Sequence, residues 1–157
     1  MKDTLLEIIR REGLTPGKDG KKRFVNLFRL TTNPVYLRII AQSLIDLMRD
    51  KPDLLASPSI ESDPVVTALS LEAGLPFVFV HGGKIVYGEV KSGASIDVIA
   101  DVVLTGKTAL STVMALKDFG RVDRVYAVVD LERGALERLS EEGVELIPLI
   151  KIVELGI

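Results

Sequence analysis

The fold of this chain is decided by residues 96–116, which read IDVIADVVLTGKTALSTVMAL. An apolar run interrupted only by Asp97 and Asp101 opens the segment and predicts a buried strand. A short turn at 104–108 follows, and apolar residues then recur at the spacing of an amphipathic helix. A strand, a glycine-containing turn and a helix in this order direct backbone N–H groups and a helix N-terminus toward a phosphate group.

The turn ends in Gly106-Lys107-Thr108, which is also how the P-loop of ATP-binding proteins ends. A P-loop requires an earlier glycine at the position that Asp101 occupies here. The segment therefore predicts a phosphate-binding turn of a different kind.

Composition limits the classes of function. The chain has 157 residues, 47% apolar and 27% charged, which is typical of one globular domain with a sizeable core. It has no cysteine and one histidine, His81, so thiolate metal sites are excluded and a histidine metal cluster or Ser-His-Asp triad is not expected. A net charge of -2 argues against nucleic acid or a membrane surface as the main partner. With no secretory signal and no membrane-length apolar run, we expect a cytoplasmic protein.

The rest of the chain alternates helical and strand patterns. Helices are predicted to end at Gly13, to run from Asn33-Pro34 to about Asp50, to run from Asp63-Pro64 to Gly74, and to run from Arg133 to Glu142. Strands are predicted at 24–28, 53–56, 77–80, 85–87, 123–130 and 145–149, with a hairpin turn at 81–84 and with Pro148 at a sheet edge. This alternation predicts an α/β fold with a mostly parallel sheet flanked by helices. Ligands in such folds bind at the carboxyl ends of the strands, here after Ala56, Val80 and Val103.

These segments resemble the type I phosphoribosyltransferases, and orotate phosphoribosyltransferases in particular. In that family an apolar strand, two acidic residues and a Thr-Thr-Gly-Gly-Ser/Thr turn precede a helix, and residues 98–109 match this order. The resemblance implies that Asp101 faces the ribose hydroxyls and the Mg²⁺ of phosphoribosyl pyrophosphate. It implies that the 5′-phosphate is held by Leu104, Thr105, Gly106, Lys107, Thr108 and Ala109.

Four more segments follow in the family's order. Residues 52–64 resemble the strand, pyrophosphate loop and helix, with Ser59, Ile60, Glu61 and Ser62 in the loop. Tyr87-Gly88 resembles the end of the basic half of the mobile catalytic loop. The strand after Gly20 and the segment 130–134 imply contacts to the base from Lys21, Lys22, Phe24, Asn26 and Arg133. The family further implies one domain over 1–157, a small hood from 1–32 and the C-terminal end, and a homodimer.

The departures from the family fall on charged positions. Ala100 replaces the first carboxylate of the acidic pair, and Glu61 stands where orotate enzymes generally have lysine. One unit of charge at about 4 Å and an effective dielectric constant of about 20 changes an interaction by about 4 kcal/mol, before screening by solvent. Ser57 and Ser62 also replace loop glycines. The mobile loop is short and leaves only Lys84 and Lys91 as cations, so Lys84 joins Asp101 as a candidate catalytic residue.

Three hypotheses follow. The first is a protein that binds a phosphoribosyl compound or a nucleotide 5′-monophosphate, with weak or absent transferase activity. The second is an active orotate phosphoribosyltransferase that uses Mg²⁺, and the third is a non-catalytic regulatory subunit on the same fold. Simpler interpretations stay open for single residues: Asp101 as a solvated strand end, His81 as a turn residue, Tyr87 as a packing residue, and 21–23 as a solvated basic loop.

Overall fold

A computed structural model describes residues 1–17, 20 and 23–157, so the predicted base contacts Lys21 and Lys22 lie outside the described residues. The strands are β1 Leu14–Pro16, β2 Arg23–Val25, β3 Leu54–Ser57, β4 Phe77–His81, β5 Lys84–Tyr87, β6 Ala94–Val103, β7 Gly120–Asp130 and β8 Glu145–Lys151. The helices are α1 Lys2–Glu12, α2 Phe28–Thr31, α3 Pro34–Leu47, α4 Asp63–Ala73, α5 Lys107–Leu116 and α6 Ala135–Glu141, and a short 3-10 helix covers Ile152–Leu155.

Six strands form the main sheet in the order β5-β4-β3-β6-β7-β8. All neighbouring pairs are parallel except the β4–β5 hairpin. Strands β1 and β2 form a separate antiparallel pair. The predicted α/β fold with a mostly parallel sheet is confirmed.

Successive strand residues point to opposite faces of the sheet, and helices cover both faces. Leu55 and Ile99 pack into one apolar cluster with α1, α3 and α4, whereas Leu54 and Val98 pack into the other with α5 and α6. Strand β6 lies between β3 and β7, at the middle of the sheet. The turn that follows β6 therefore starts from a rigid support.

Most element boundaries have a local cause. Asn33 begins α3 by accepting a hydrogen bond on Oδ1 from the N–H of Val35 at 3.0 Å, as the Asn-Pro pair predicts. Helix α3 ends at Leu47 and not near Asp50, because Met48 is extended, with ψ of 129°. Pro148 lies in β8, which is an edge strand, as predicted.

The predicted strand over 24–28 is wrong at its end. Strand β2 stops at Val25, and Phe28 is the first residue of α2. The cause is Asn26, whose Oδ1 accepts a hydrogen bond from the N–H of Phe28 at 3.1 Å and so closes a turn. In the same way α6 begins at Ala135 and not at Arg133, because Gly134 has a φ of 100°.

No helix in the described part of the chain has the length and apolar character that crossing a membrane requires.

Candidate functional site

A cavity of about 490 Å³ opens at the carboxyl ends of β3 and β6. Its walls come from β1 and β2, from the loop after β3, and from the end of β6 with the turn that follows it. The walls include these predicted site residues: Phe24, Asn26, Ser59, Glu61, Ser62, Asp101, Leu104, Thr105, Gly106, Lys107, Thr108 and Ala109. Segments that are far apart in sequence thus meet around one space.

The turn at 104–109 presents free donors to this cavity. Among the described residues, nothing accepts a hydrogen bond from the N–H groups of 105–109 or from the hydroxyls of Thr105 and Thr108. Lys107 begins α5, so these N–H groups form the helix N-terminus, where an anion is stabilised. The turn is therefore able to hold a phosphate group.

Helix α6 fixes the turn from behind. Gly106 has a φ of 84°, and a Cβ atom built on it would lie 2.9 Å from the Cα of Ala135. The turn thus needs glycine both for its backbone conformation and for its contact with α6. Arg138 Nε donates a hydrogen bond to the carbonyl oxygen of Thr105 at 2.9 Å and holds that oxygen.

Asp101 is held by the loop after β3. The hydroxyl of Ser62, which is fully buried, donates to Asp101 Oδ1 at 3.1 Å and accepts from the N–H of Asp101 at 3.0 Å. Ser59 Oγ lies 2.9 Å from Ser62 Oγ and extends the network. Burial raises the pKa of Asp101, and hydrogen bonds from the Val102 backbone and from Ser62 oppose the rise. The carboxylate is therefore rigidly placed on the cavity wall.

Glu61 and Ala100 also line the cavity. The negative charge of Glu61 contributes to the raised pKa of Asp101, so the two carboxylates interact. Ala100 is only 2% exposed and offers no polar side-chain atom. The cavity wall thus carries two carboxylates, those of Asp101 and Glu61, and an alanine at position 100.

Residues 24–27 form another part of the cavity wall. Phe24 is 53% exposed and lies on this wall, so a ligand in the cavity can reach it. The N–H of Asn26 donates to the carbonyl oxygen of Gly13 at 2.8 Å, which ties this wall to the end of α1. Asn26 Oδ1 accepts from the N–H of Phe28, while its amide NH₂ has no acceptor among the described residues and so can donate to a ligand.

Of the predicted site residues that the structure describes, three do not line the cavity. Ile60 is 70% exposed at the tip of its loop, Lys84 is the first residue of β5, and Arg133 lies in the exposed segment after β7. His81 Nε2 lies 2.9 Å from Asp63 Oδ2, so this ring contacts the first turn of α4 and not the cavity. Among the described residues, no group of three or more histidine or carboxylate side chains is arranged around a metal position.

Sequence reasoning missed Thr15, which lies on the cavity wall from β1. A single threonine in a three-residue strand carries no local signal. It also missed that Ser62 bonds Asp101, a contact between residues 39 positions apart.

Known proteins with similar sequence identify the family of this chain. No family model matches the chain. Orotate phosphoribosyltransferase of Pyrococcus horikoshii is 34% identical over 174 residues, covering 99% of this chain and 93% of that protein. The corresponding protein of Methanocaldococcus jannaschii is 34% identical, covering 87% of this chain and 83% of its own. Mycobacterium tuberculosis orotate phosphoribosyltransferase in complex with phosphoribosyl pyrophosphate matches the structure with a TM-score of 0.86 and 27% identity, over 99% of each chain. The chain belongs to the orotate phosphoribosyltransferase family.

Proposed function

We propose that this protein is an orotate phosphoribosyltransferase, which transfers the phosphoribosyl group of phosphoribosyl pyrophosphate to orotate and releases pyrophosphate. One observation carries the proposal: a single cavity joins a phosphate-binding turn, a fixed carboxylate and an aromatic wall. Its relatives with this name match nearly the whole chain, and a related enzyme binds phosphoribosyl pyrophosphate on the same fold. These findings favour an active enzyme over a binding protein that has lost its activity.

The 5′-phosphate is assigned to the turn at 104–109. Its free N–H groups and hydroxyls supply hydrogen-bond donors, and Lys107 adds a positive charge. Because Arg138 and Ala135 hold the turn from behind, its donors are in place before the ligand arrives. Little free energy is then spent on ordering the turn when the ligand binds.

Asp101 is assigned to the ribose hydroxyls and to Mg²⁺. Magnesium in phosphate-transferring sites is held by one or two carboxylates together with substrate phosphates, and the carboxylates on this cavity wall fit that pattern. When bound, the ion neutralises charge on the departing pyrophosphate. Ser62 orients Asp101 by two hydrogen bonds, so the carboxylate accepts from the ribose without first reorganising.

Orotate is assigned to the wall formed by 24–27. The exposed ring of Phe24 can stack on the flat pyrimidine, and the NH₂ group of Asn26 can donate to a base oxygen. Lys21 and Lys22 stay predictions as partners for the orotate carboxylate. We also propose a cytoplasmic homodimer, which size-exclusion chromatography with light scattering would test.

A second function is favoured by Glu61 and Ala100. An anion beside the pyrophosphate position and a missing carboxylate both weaken stabilisation of the transition state. The protein would then bind a phosphoribosyl compound or nucleotide 5′-monophosphate with weak or absent transferase activity, as a regulatory subunit for instance. Lys84 and Arg133 lie outside the cavity wall, so neither compensates from its present position.

Two measurements separate these functions. Loss of orotate absorbance in the ultraviolet, with phosphoribosyl pyrophosphate and Mg²⁺ present, reports transferase activity. Calorimetry with orotidine 5′-monophosphate, ribose 5-phosphate and phosphoribosyl pyrophosphate reports binding. Turnover establishes the transferase, and binding without turnover at micromolar enzyme establishes the second function. The absence of both turnover and binding overturns both functions.

A further inference from the structure

The turn after β6 uses its carbonyl groups and its N–H groups differently. The carbonyl oxygen of Gly106 accepts a hydrogen bond from the N–H of Leu110 at 2.9 Å, within the start of α5. The carbonyl oxygen of Thr105 accepts from Arg138 Nε at 2.9 Å, on the side of α6. Both acceptors are thus used inside the protein, whereas the N–H groups of 105–109 have no acceptor among the described residues.

The peptide group between Thr105 and Gly106 contains one of these carbonyls and one of these donors. None of the described peptide bonds is cis, and a trans peptide group is planar, so its C=O and N–H point in opposite directions. The C=O points toward Arg138. None of the described residues that line the cavity belongs to α6, whereas Thr105 and Gly106 do line it. The N–H of Gly106 is therefore directed to the cavity side of the turn.

Glycine at position 106 does not fix this orientation by itself. Packing against α6 requires glycine there, because a Cβ atom would lie 2.9 Å from the Cα of Ala135. Glycine adopts positive and negative φ about equally readily, so its backbone also permits the peptide group to rotate by about 180°. The rotated peptide would present a carbonyl oxygen to a bound phosphate in place of a donor. Arg138 supplies the constraint that glycine lacks.

The bond from Arg138 also affects how strongly Gly106 donates. The guanidinium is permanently charged, and a charged donor makes a stronger hydrogen bond than a neutral one. Such a bond to a carbonyl oxygen polarises the whole peptide group, which makes its N–H a better donor. Arg138 is itself held in the first turn of α6, where its N–H donates to the carbonyl oxygen of Gly134 at 3.0 Å. Arg138 thus acts on a phosphate through the peptide group and without contacting it.

We infer that Arg138 is a positioning residue for the phosphate: it holds the Thr105–Gly106 peptide in the orientation that directs the Gly106 N–H into the cavity. This role rests on the proposed function, which supplies the 5′-phosphate as the ligand. It extends the phosphate site to a side chain of α6 that lies outside the cavity wall.

The test is a titration with ribose 5-phosphate, followed in ¹H–¹⁵N NMR spectra through the amide signal of Gly106. In the wild type this signal should shift on binding. Arg138→Met keeps an unbranched side chain without a donor, and its affinity should fall by about 10- to 100-fold, the range expected when a hydrogen bond to a charged group is lost. Without ligand, the Gly106 signal of this variant should move or double, because the peptide is no longer held. Arg138→Lys keeps a charged donor and should recover part of the affinity.

Lys117 provides the matched control. Its Nζ donates to the carbonyl oxygen of Glu142 at 3.2 Å and so joins the opposite ends of the same two helices, α5 and α6. Lys117→Met therefore removes a charged donor from a backbone carbonyl without changing the turn. Its affinity for ribose 5-phosphate and its Gly106 signal should match those of the wild type. Equal losses of affinity in Lys117→Met and Arg138→Met would overturn the role of the peptide orientation.

Two further results would also overturn that role. One is equally tight binding of ribose 5-phosphate by Arg138→Met and the wild type, which leaves the phosphate assignment standing. The other is a loss of affinity with an unchanged Gly106 signal, because Arg138 would then act through its charge alone. If the wild type does not bind ribose 5-phosphate, the phosphate assignment fails and the role of Arg138 fails with it.

The orotate absorbance assay judges the transferase separately. In an active enzyme, Arg138→Met should raise the KM for phosphoribosyl pyrophosphate and leave the KM for orotate unchanged, each measured with the other substrate at saturation. An equal rise in both values would contradict a role at the phosphate. An inactive protein whose binding of ribose 5-phosphate depends on Arg138 supports the positioning role, while the transferase function alone fails.

Discussion

Strand β6 has a buried or half-buried aspartate near each end, and the surroundings of the two carboxyl groups differ. Asp101, near the carboxyl end, accepts a hydrogen bond from Ser62 and lies on the cavity wall. Asp97, near the amino end, is 6% exposed, and its Oδ2 has no hydrogen-bond partner among the described residues. Burial raises the pKa of both groups, that of Asp97 to about 6. The carboxyl end of β6 thus provides a hydrogen bond to its aspartate. The amino end leaves Asp97 Oδ2 without one among the described residues.

The amino end has cations, but they are engaged elsewhere. Arg124 Nη2 lies 3.0 Å from Asp50 Oδ2, and Arg121 Nε lies 2.8 Å from Asp123 Oδ2. Arg124 lowers the pKa of Asp97 only in part, while the charges of Asp123 and Asp50 raise it. A raised pKa alone therefore does not mark a site. Asp101 is distinguished by its hydrogen bond from Ser62 and by its place on one cavity wall with the turn at 104–109.

The largest expected effect is that of Asp101→Asn on activity. It removes the charge assigned to the ribose and Mg²⁺, and kcat/KM for the transferase should fall by about 10²- to 10³-fold, as when other preorganised stabilising groups are removed. The orotate absorbance assay measures this. Asp97→Asn is the control at the opposite end of the strand and should retain activity; equal losses in the two variants would erase the distinction between the ends.

Asp97→Asn should instead change stability. The folded-state pKa of about 6 exceeds the ordinary 3.8, so the proton favours the folded state. Ionisation of Asp97 therefore lowers the free energy of unfolding. The loss is absent below about pH 4, grows as the pH rises through about 6, and reaches about 3 kcal/mol at most. The variant should be more stable than the wild type by up to that amount at pH 7.5 and nearly equal at pH 4.

Urea unfolding at both pH values measures the difference. Asp118→Asn, at an exposed aspartate after α5 that does not contribute to the pKa of Asp97, is the control and should show no such gain. A pH-independent effect of Asp97→Asn would show that the buried charge is not what costs stability.

Ser62→Ala tests the carboxyl end of β6, where Asp101 has a hydrogen-bond partner. It removes a fully buried hydroxyl and leaves Asp101 without that donor, which should cost about 1–3 kcal/mol of unfolding free energy. Ser59→Ala deletes a hydroxyl that contacts Ser62 but not Asp101, and it should cost less. Chemical denaturation of the two variants gives the comparison, and an equal loss would mean that the bond to Asp101 contributes nothing of its own.

The smallest effect is expected from Arg124→Gln. Its guanidinium is the main group that lowers the pKa of Asp97, so that pKa should rise above about 6 in the variant. A ¹³C NMR titration of the Asp97 carboxyl carbon follows the change. The pKa of Asp101 should not change. A change in the pKa of both aspartates would mean that the two ends are coupled through the strand.

The sequence was sufficient for the fold and for the order of strand, turn and helix over 96–116, because both depend on local patterns. Apolar runs give the strands, and the Asn33-Pro34 pair and Gly74 give helix ends. The boundary at Phe28 was wrong, because an apolar residue fits a strand or a helix equally well and the side chain of Asn26 decided between them.

The contacts within the site could not be predicted in the same way. Ser62 meets Asp101 because β3 and β6 pair in parallel with Leu54 opposite Ile96, a register that periodicity does not encode. Whether Lys84 or Ile60 faces the cavity depends on the path of a hairpin and a loop. The unpartnered Asp97 was unpredictable too, because a polar residue within an apolar run does not reveal its partners.

The close approach of Gly106 to Ala135 has a consequence for motion. The phosphate turn packs closely against the start of α6 and is joined to it by Arg138, so we expect opening of one to disturb the other. A ligand that stabilises the turn should then also slow local unfolding of α6. The amide hydrogen exchange of α6, a helix that contributes nothing to the cavity wall among the described residues, should therefore report when the turn is occupied.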